Sequence, residues 1–150
     1  MDNSPIISDY RYLVIDDDRF TCDCLVKLFN KHGIVNVETM YNGKSAVSWF
    51  NAAKTSPDII ICDLNMPEFD GVEYVLYLAE KNFTGGIILM SSTAMNLLNA
   101  VKDLAKAHKL NVLAALPKPI NPDALLALLS QFAANRNNVT ETIPQSATSA

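Results

Sequence analysis

The sequence predicts an α/β fold, a doubly wound parallel sheet of five strands with helices on both faces, and three observations carry that expectation. Short β-branched runs alternate five times with stretches whose apolar residues recur at helical spacing. The runs, such as Ile59-Ile60-Ile61-Cys62 and Ile87 to Met90, are apolar at every position rather than every second one, as befits strands covered on both sides. Polar, chemically capable residues stand where the runs end.

In chain order, the first strand is expected over Tyr12 to Asp16, followed by a helix over Arg19 to Lys31 with Phe20, Cys24, Leu25, Leu28 and Phe29 on its inner face. Gly33 should stop that helix after His32. A second strand, Asn36 to Met40, leads to a helix over Gly43 to Ala53 with Ala46, Val47 and Phe50 inward, and Ser56-Pro57 breaks the chain before the central strand. That strand ends in Asp63, which is expected to be presented in a loop rather than buried. Glu68 to Val72 reads as a turn into a third helix ending near Asn82, its apolar positions Val72, Val75, Leu76, Leu78 and Ala79. The fourth strand, Ile87 to Met90, runs into Ser91-Ser92-Thr93 and a helix over Ala94 to His108 with Leu97, Leu98, Val101, Leu104 and Ala105 on one side. The fifth strand, Val112 to Leu116, ends in Pro117-Lys118-Pro119, and Asn121 caps a last helix opened by Pro122 and running through Leu125, Leu126, Leu128, Leu129 and Phe132.

At 150 residues, 49% hydrophobic and 19% charged, the chain suits one domain with a full core, expected over residues 10–134. Residues 1–9 read as a disordered lead, and residues 135–150, rich in Asn, Thr, Ser, Gln and Ala, as a polar tail or linker. No apolar run reaches the length of a membrane span and no export signal is visible, so a cytoplasmic location is the default expectation. A net charge of −4 without a Lys/Arg cluster weighs against direct nucleic-acid binding. The spacing of Cys22, Cys24 and Cys62 favours buried or half-buried thiols over disulfides or a zinc site.

The strand-end residues form a chemically coherent set. Three carboxylates, Asp16, Asp17 and Asp63, gathered at the carboxyl edge of a parallel sheet need a cation, and hard oxygen donors suit Mg²⁺ or Mn²⁺. Asp17 and Asp63 would hold the ion with the main-chain carbonyl of Asn65, and Asp16 would act through a water. Asp63 can attack a phosphoryl donor in line, Lys118 can offer an ammonium to the phosphoryl oxygens, and Ser91 a hydroxyl. Each residue alone is better read as a solvated strand end, a cap or a surface lysine; their combination is what argues for chemistry. Asp70-Gly71 is assigned to the turn, His32 and His108 to helix ends, and Trp49 to helix packing.

In this set the chain resembles the receiver domains of two-component response regulators, the CheY-like family: Asp16-Asp17 after the first strand, Asp63 followed by Met66-Pro67 and Asp70-Gly71, Ser91 after the fourth, and Lys118-Pro119 after the fifth. The resemblance covers Tyr12 to Phe132. It implies the flavodoxin-like strand order 2-1-3-4-5, a cis bond between Lys118 and Pro119, and Asp63 as phosphoacceptor. The donor would be a phosphohistidine on a sensor histidine kinase or histidine phosphotransfer protein, docked on the first helix between Phe20 and Leu28. It implies no enzyme beyond self-catalysed phosphoryl transfer and autodephosphorylation, a downstream output domain or effector, and a homodimer as an option for the phosphorylated form. The stretch from Leu104 to Ile120 looks like receivers fused to cyclic-di-GMP phosphodiesterase domains. One departure stands out: Ala115 occupies the position, three before the lysine, where the family commonly has an aromatic residue, so an aromatic rotamer switch is not expected.

Two other function classes are weighed beside this one. A phosphatase-like hydrolase using Asp63 would want a second acid two residues on, where this chain has Asn65. A phosphorylation-independent protein-binding scaffold would have no use for Asp16, Asp17, Asp63 and Lys118 together.

Overall fold

The computed structural model describes residues 7–66, 71–92 and 95–149, with side chains described except at 95–97 and 137–149. Five strands, β1 (Tyr12–Ile15), β2 (Val37–Met40), β3 (Ile59–Asp63), β4 (Gly86–Ser91) and β5 (Asn111–Pro117), alternate with α1 (Arg19–Lys31), α2 (Gly43–Ala52), α3 (Gly71–Glu80), α4 (Met95–Ala107) and α5 (Pro122–Ser149). All four strand pairings are parallel and the order is β2-β1-β3-β4-β5. This is the flavodoxin/CheY-like arrangement that the alternation and the resemblance predict. The expected turn over Glu68 to Asp70, with Pro67 before it, lies outside the described residues, as do Thr93 and Ala94.

Alternation of side chains along each strand divides the core in two. Leu13, Ile15, Ile60, Cys62, Ile87 and Leu89 pack beneath α2, α3 and α4, whereas Tyr12, Val14, Ile59, Ile61, Ile88 and Met90 pack beneath α1 and α5. Burial on both faces explains why these strands carry no polar alternation. A register shift between Ile87 and Ile88 inserts Leu113 as an extra residue in edge strand β5.

Helix boundaries follow local chemistry. Asp18 caps α1 by accepting from the Phe20 amide, Asn42 caps α2 by accepting from the Ser45 amide, and Asn121 accepts from the Ala124 amide at the start of α5. Gly33, at φ +80°, ends α1 in the left-handed region that a side chain would disfavour. A Cβ on Gly85 would lie 2.5 Å from the Asp58 carbonyl oxygen, so the turn before β4 requires glycine.

Several expectations are corrected. The buried stripe of α1 is Cys22, Leu25 and Phe29; Phe20 is 75% exposed and Cys24 is exposed, because the helix meets the sheet one position away from the widest apolar arc. On α3, Leu76 faces solvent and the fully buried Tyr74 takes the central position, its ring packed near Tyr77. The lead is ordered from Ile7: a 3₁₀ turn spans Ile7–Asp9, and the Tyr12 hydroxyl donates to the Ile7 carbonyl at 2.7 Å. At the other end α5 continues to Ser149 through the segment read as a polar tail, since extending a packed helix avoids the cost of nucleating a new one. Arg136, within that segment, contacts the domain.

Candidate functional site

Strand order reverses between β1, whose successor β2 lies on one side, and β3 on the other, and the crevice beyond the carboxyl ends of these two strands is where open α/β sheets place their ligands. Asp16 and Asp17 leave β1 at this crevice and Asp63 ends β3. Contrary to the expectation that Asp63 is presented in a loop, Asp63 is 2% exposed and Asp16 fully buried; only Asp17 is open to solvent. Parallel pairing on both sides of β3, and the Leu64 amide bonded to the Met90 carbonyl, carry the sheet's shelter past the strand end.

One carboxylate oxygen from each of Asp16, Asp17 and Asp63 falls within 4.8 Å of the others. Lys118, at the end of β5, brings its Nζ to 2.5 Å from Asp16 Oδ2 and 3.5 Å from Asp63 Oδ2. The other oxygens are held by main chain: Asp16 Oδ1 accepts from the Asp18 amide at 2.9 Å and Asp63 Oδ1 from the Asn65 amide at 3.2 Å. The Cys22 thiol donates to the Asp16 carbonyl, which fixes the start of the loop. Ser91, fully buried at the end of β4, hydrogen-bonds through its hydroxyl to the side-chain oxygen of Asn65. The Lys118-Pro119 peptide is cis, as the resemblance implies. Ala115 is only partly buried and packs against the α2–α4 side of the core.

The electrostatics follow from three acids and one base in a sheltered crevice. Burial, first, and the neighbouring charge of Asp16, second, push the Asp63 carboxyl up to about 6, against the lowering effects of the Asn65 amide and of Lys118. For Lys118, burial acts to lower the ammonium's pKa, yet the hydrogen bonds and charges of Asp16 and Asp63 outweigh it and the net shift is upward. The site is thus short of positive charge, and its donor set of carboxylate oxygens could hold a hard divalent cation.

The structure brings together the side chains of Asp16, Asp17, Asp63, Ser91 and Lys118; Asn65, singled out for its main-chain carbonyl, lies beside them, with its amide on Asp63 and its side chain on Ser91. What periodicity missed lies beside them. An apolar hollow of about 220 Å³ opens between α1 and the segment after β5, lined by Phe20, Cys24, Leu28, Pro119 and Ile120, with Lys118 at its edge. Its sequence signal was Phe20 and Cys24, two residues more than α1 needs for its core contact.

A doubly wound sheet with an acidic crevice at its switch point and a lysine across it defines the class: an α/β protein of the flavodoxin/CheY-like fold. The family model for the response regulator receiver domain matches residues 12–130, and the chain belongs to that family. It is 33% identical over 123 residues, 82% of its length, to a protein-glutamate methylesterase/protein-glutamine glutaminase of Archaeoglobus fulgidus. It is 27% identical over 133 residues, 89% of its length, to the cyclic di-GMP phosphodiesterase RocR of Pseudomonas aeruginosa. The matches span 33% and 34% of those two relatives, so the chain corresponds to about a third of each. Among solved structures, a response regulator from Colwellia psychrerythraea superposes with a TM-score of 0.70 at 31% identity, covering 84% of this chain and 98% of that one. No helix among the described residues is long and apolar enough to cross a membrane.

Proposed function

We propose that this receiver domain accepts a phosphoryl group on Asp63 and relays the event by a change of conformation. A carboxylate oxygen of Asp63 attacks phosphorus in line, the P–N bond to a donor phosphohistidine breaks, and the imidazole departs with the bonding electrons to be protonated. The product is an acyl phosphate, which water returns to carboxylate and inorganic phosphate. Lys118 would then pair with a phosphoryl oxygen in place of part of its contact with the acids, and Ser91 would donate to another. Asp17, Asp63 and the main-chain carbonyl of Asn65, with Asp16 through a water, would hold Mg²⁺, or Mn²⁺ in its stead, which neutralises charge on the transferring group.

The observation that carries this reading is the buried Asp63 carboxylate with the oxygens of Asp16 and Asp17 within 4.8 Å and the Lys118 ammonium across the crevice. Exposed apolar residues of α1 beside the site, Phe20 above all, suit docking of a helical phosphodonor, a sensor kinase or a histidine phosphotransfer protein. The output partner is proposed to be a further domain or an effector in the cytoplasm, with a cyclic di-GMP phosphodiesterase, the activity for which the RocR relative is named, as one candidate. Incubation with acetyl phosphate or phosphoramidate and Mg²⁺, read by intact mass, should add one phosphoryl group to the chain and none to Asp63→Asn. Equal labelling of Asp63→Asn would move the acceptor elsewhere.

A further inference from the structure

At the opposite end of the sheet from the acidic crevice, one guanidinium meets three residues from separate parts of the fold. Arg136 Nη1 lies 2.8 Å from Asp58 Oδ1, and its Cζ sits 5.3 Å from the ring centroid of Tyr10 and 5.4 Å from that of Phe132. Those two rings pack edge to face, with centroids 5.6 Å apart. Asp58 is itself a junction: its other carboxylate oxygen accepts from the Arg11 amide, its own amide donates to the Arg11 carbonyl, and its carbonyl accepts from Gly86 at the start of β4. Tyr10 follows the 3₁₀ turn and donates its amide to the Ile7 carbonyl.

From this we infer that Arg136 is a latch, a single residue that fixes the turn of α5 at 133–136 and the N-terminal turn onto the base of the sheet and so sets the line along which the helix continues past the domain. Among the described side chains of α5, Phe132 is the last buried one; Ala133 is half-buried, and Ala134, Asn135 and Arg136 are exposed. No buried apolar anchor follows Phe132 among them, and at 133–136 the contacts to the rest of the domain that stand out are those of Arg136 with Asp58 and the two rings. The ion pair is open to solvent, with side-chain exposures of 44% for Arg136 and 23% for Asp58, and contacts of this kind weaken with salt. A flat, delocalised cation that lies near two rings while one of its N–H groups donates to a carboxylate is a property of arginine that lysine does not reproduce. Leu125, Leu129 and Phe132 keep α5 on the sheet, but the turn at 133–136 is held by the contacts of Arg136, and a partner that competes for Asp58 or for the Tyr10–Phe132 rings would release that turn.

Amide hydrogen exchange on the full chain tests the latch. In Arg136→Ala, amides 133–136 and the amide of Tyr10 should exchange at least tenfold faster than in the parent chain, with β3 and β4 unchanged. Arg136→Lys should fall between the two, and the parent chain moved from low salt to 1 M NaCl should shift in the same direction. Unchanged exchange at 133–136 in both Arg136→Ala and high salt would overturn the proposal, as would a Lys variant indistinguishable from the parent. The salt arm needs no substitution and so keeps the test decisive even if a variant fails to fold. Labelling of Asp63 by a small phosphodonor should be the same in Arg136→Ala and the parent, which separates the latch from the chemistry at the other end.

Discussion

The Lys118 ammonium lies 2.5 Å from a carboxylate oxygen of Asp16 and 3.5 Å from one of Asp63, so the lysine belongs more to the first acid than to the proposed acceptor. It is the one cation facing two buried carboxylates among the described residues, and removing it leaves their charge uncompensated. Lys118→Ala is expected to lower the stability of the metal-free domain by about 1–3 kcal/mol, less than the full cost of breaking a buried pair because the ammonium is partly solvated and the acids can take up a proton. Urea unfolding without and with Mg²⁺ checks this: the deficit should shrink when the cation is added. Some labelling by acetyl phosphate should persist in the variant, since Lys118 assists the transfer and Asp63 performs it.

The raised pKa of Asp63 makes a signed prediction about pH. Burial and the charge of Asp16 bring its carboxyl up to about 6 in the folded, metal-free domain, whereas an unfolded aspartate titrates near 3.9. Between those values the folded state binds more protons than the unfolded one, so this group's contribution to stability falls as pH rises from about 4 to about 6 and stays lost above. Asp63→Asn removes the charge that is being disfavoured. The variant should therefore be more stable than the parent at pH 7 without metal, by something on the order of 3 kcal/mol at most, and this advantage should disappear toward pH 4. Paired urea titrations at several pH values measure it; an advantage that grew on acidification would contradict the assignment.

How much of this was legible beforehand depended on the kind of signal. Ile59 to Cys62 and Ile87 to Met90 announced buried parallel strands because both faces of each are covered, and the strand-end positions of Asp16, Asp63, Ser91 and Lys118 followed from the strands themselves. The burial of Asp63 was not legible, because it depends on β1 and β4 flanking β3 past its last residue, which is a property of pairing and not of local pattern. The inner face of α1 was misread for a related reason: Phe20, Leu25 and Leu28 are equally apolar, and only the helix's seat on the sheet decides that Phe20 points out. Asp58, Tyr10 and Arg136 lie far apart in sequence and carry no shared motif, so their meeting could come only from the fold.

Asp17 is the exposed member of the acidic trio, and exposure makes it the position where a ligand can be removed with little harm to the fold. Asp17→Asn should leave the metal-free melting temperature within about 2 °C of the parent, as expected for a surface substitution of roughly 0.5 kcal/mol or less. The rise in melting temperature on adding Mg²⁺ should need about tenfold or more additional cation, and EDTA should abolish the rise in both proteins. A Mg²⁺ response identical in variant and parent would show that Asp17 is not a ligand.

Ser91 tests how a phosphorylation event could leave the site. Its hydroxyl is fully buried and engaged by the side chain of Asn65, so donating to a phosphoryl oxygen requires it to exchange partners, and the start of α4 lies directly beyond it in the chain. On the proposed function, and with Ala115 in place of an aromatic side chain, a change at Ser91 would have to reach α4 without that side chain. Ser91→Ala should still be labelled at Asp63, more slowly by about tenfold, the loss of one charge-assisted hydrogen bond at about 1.4 kcal/mol. The conformational readout should suffer far more. Hydrogen exchange of α4, compared with and without beryllofluoride and Mg²⁺, should change in the parent chain and remain flat in Ser91→Ala. An α4 response of equal size in the variant would mean that the signal leaves the crevice by another strand end, and Lys118 on β5 would be the next residue to test.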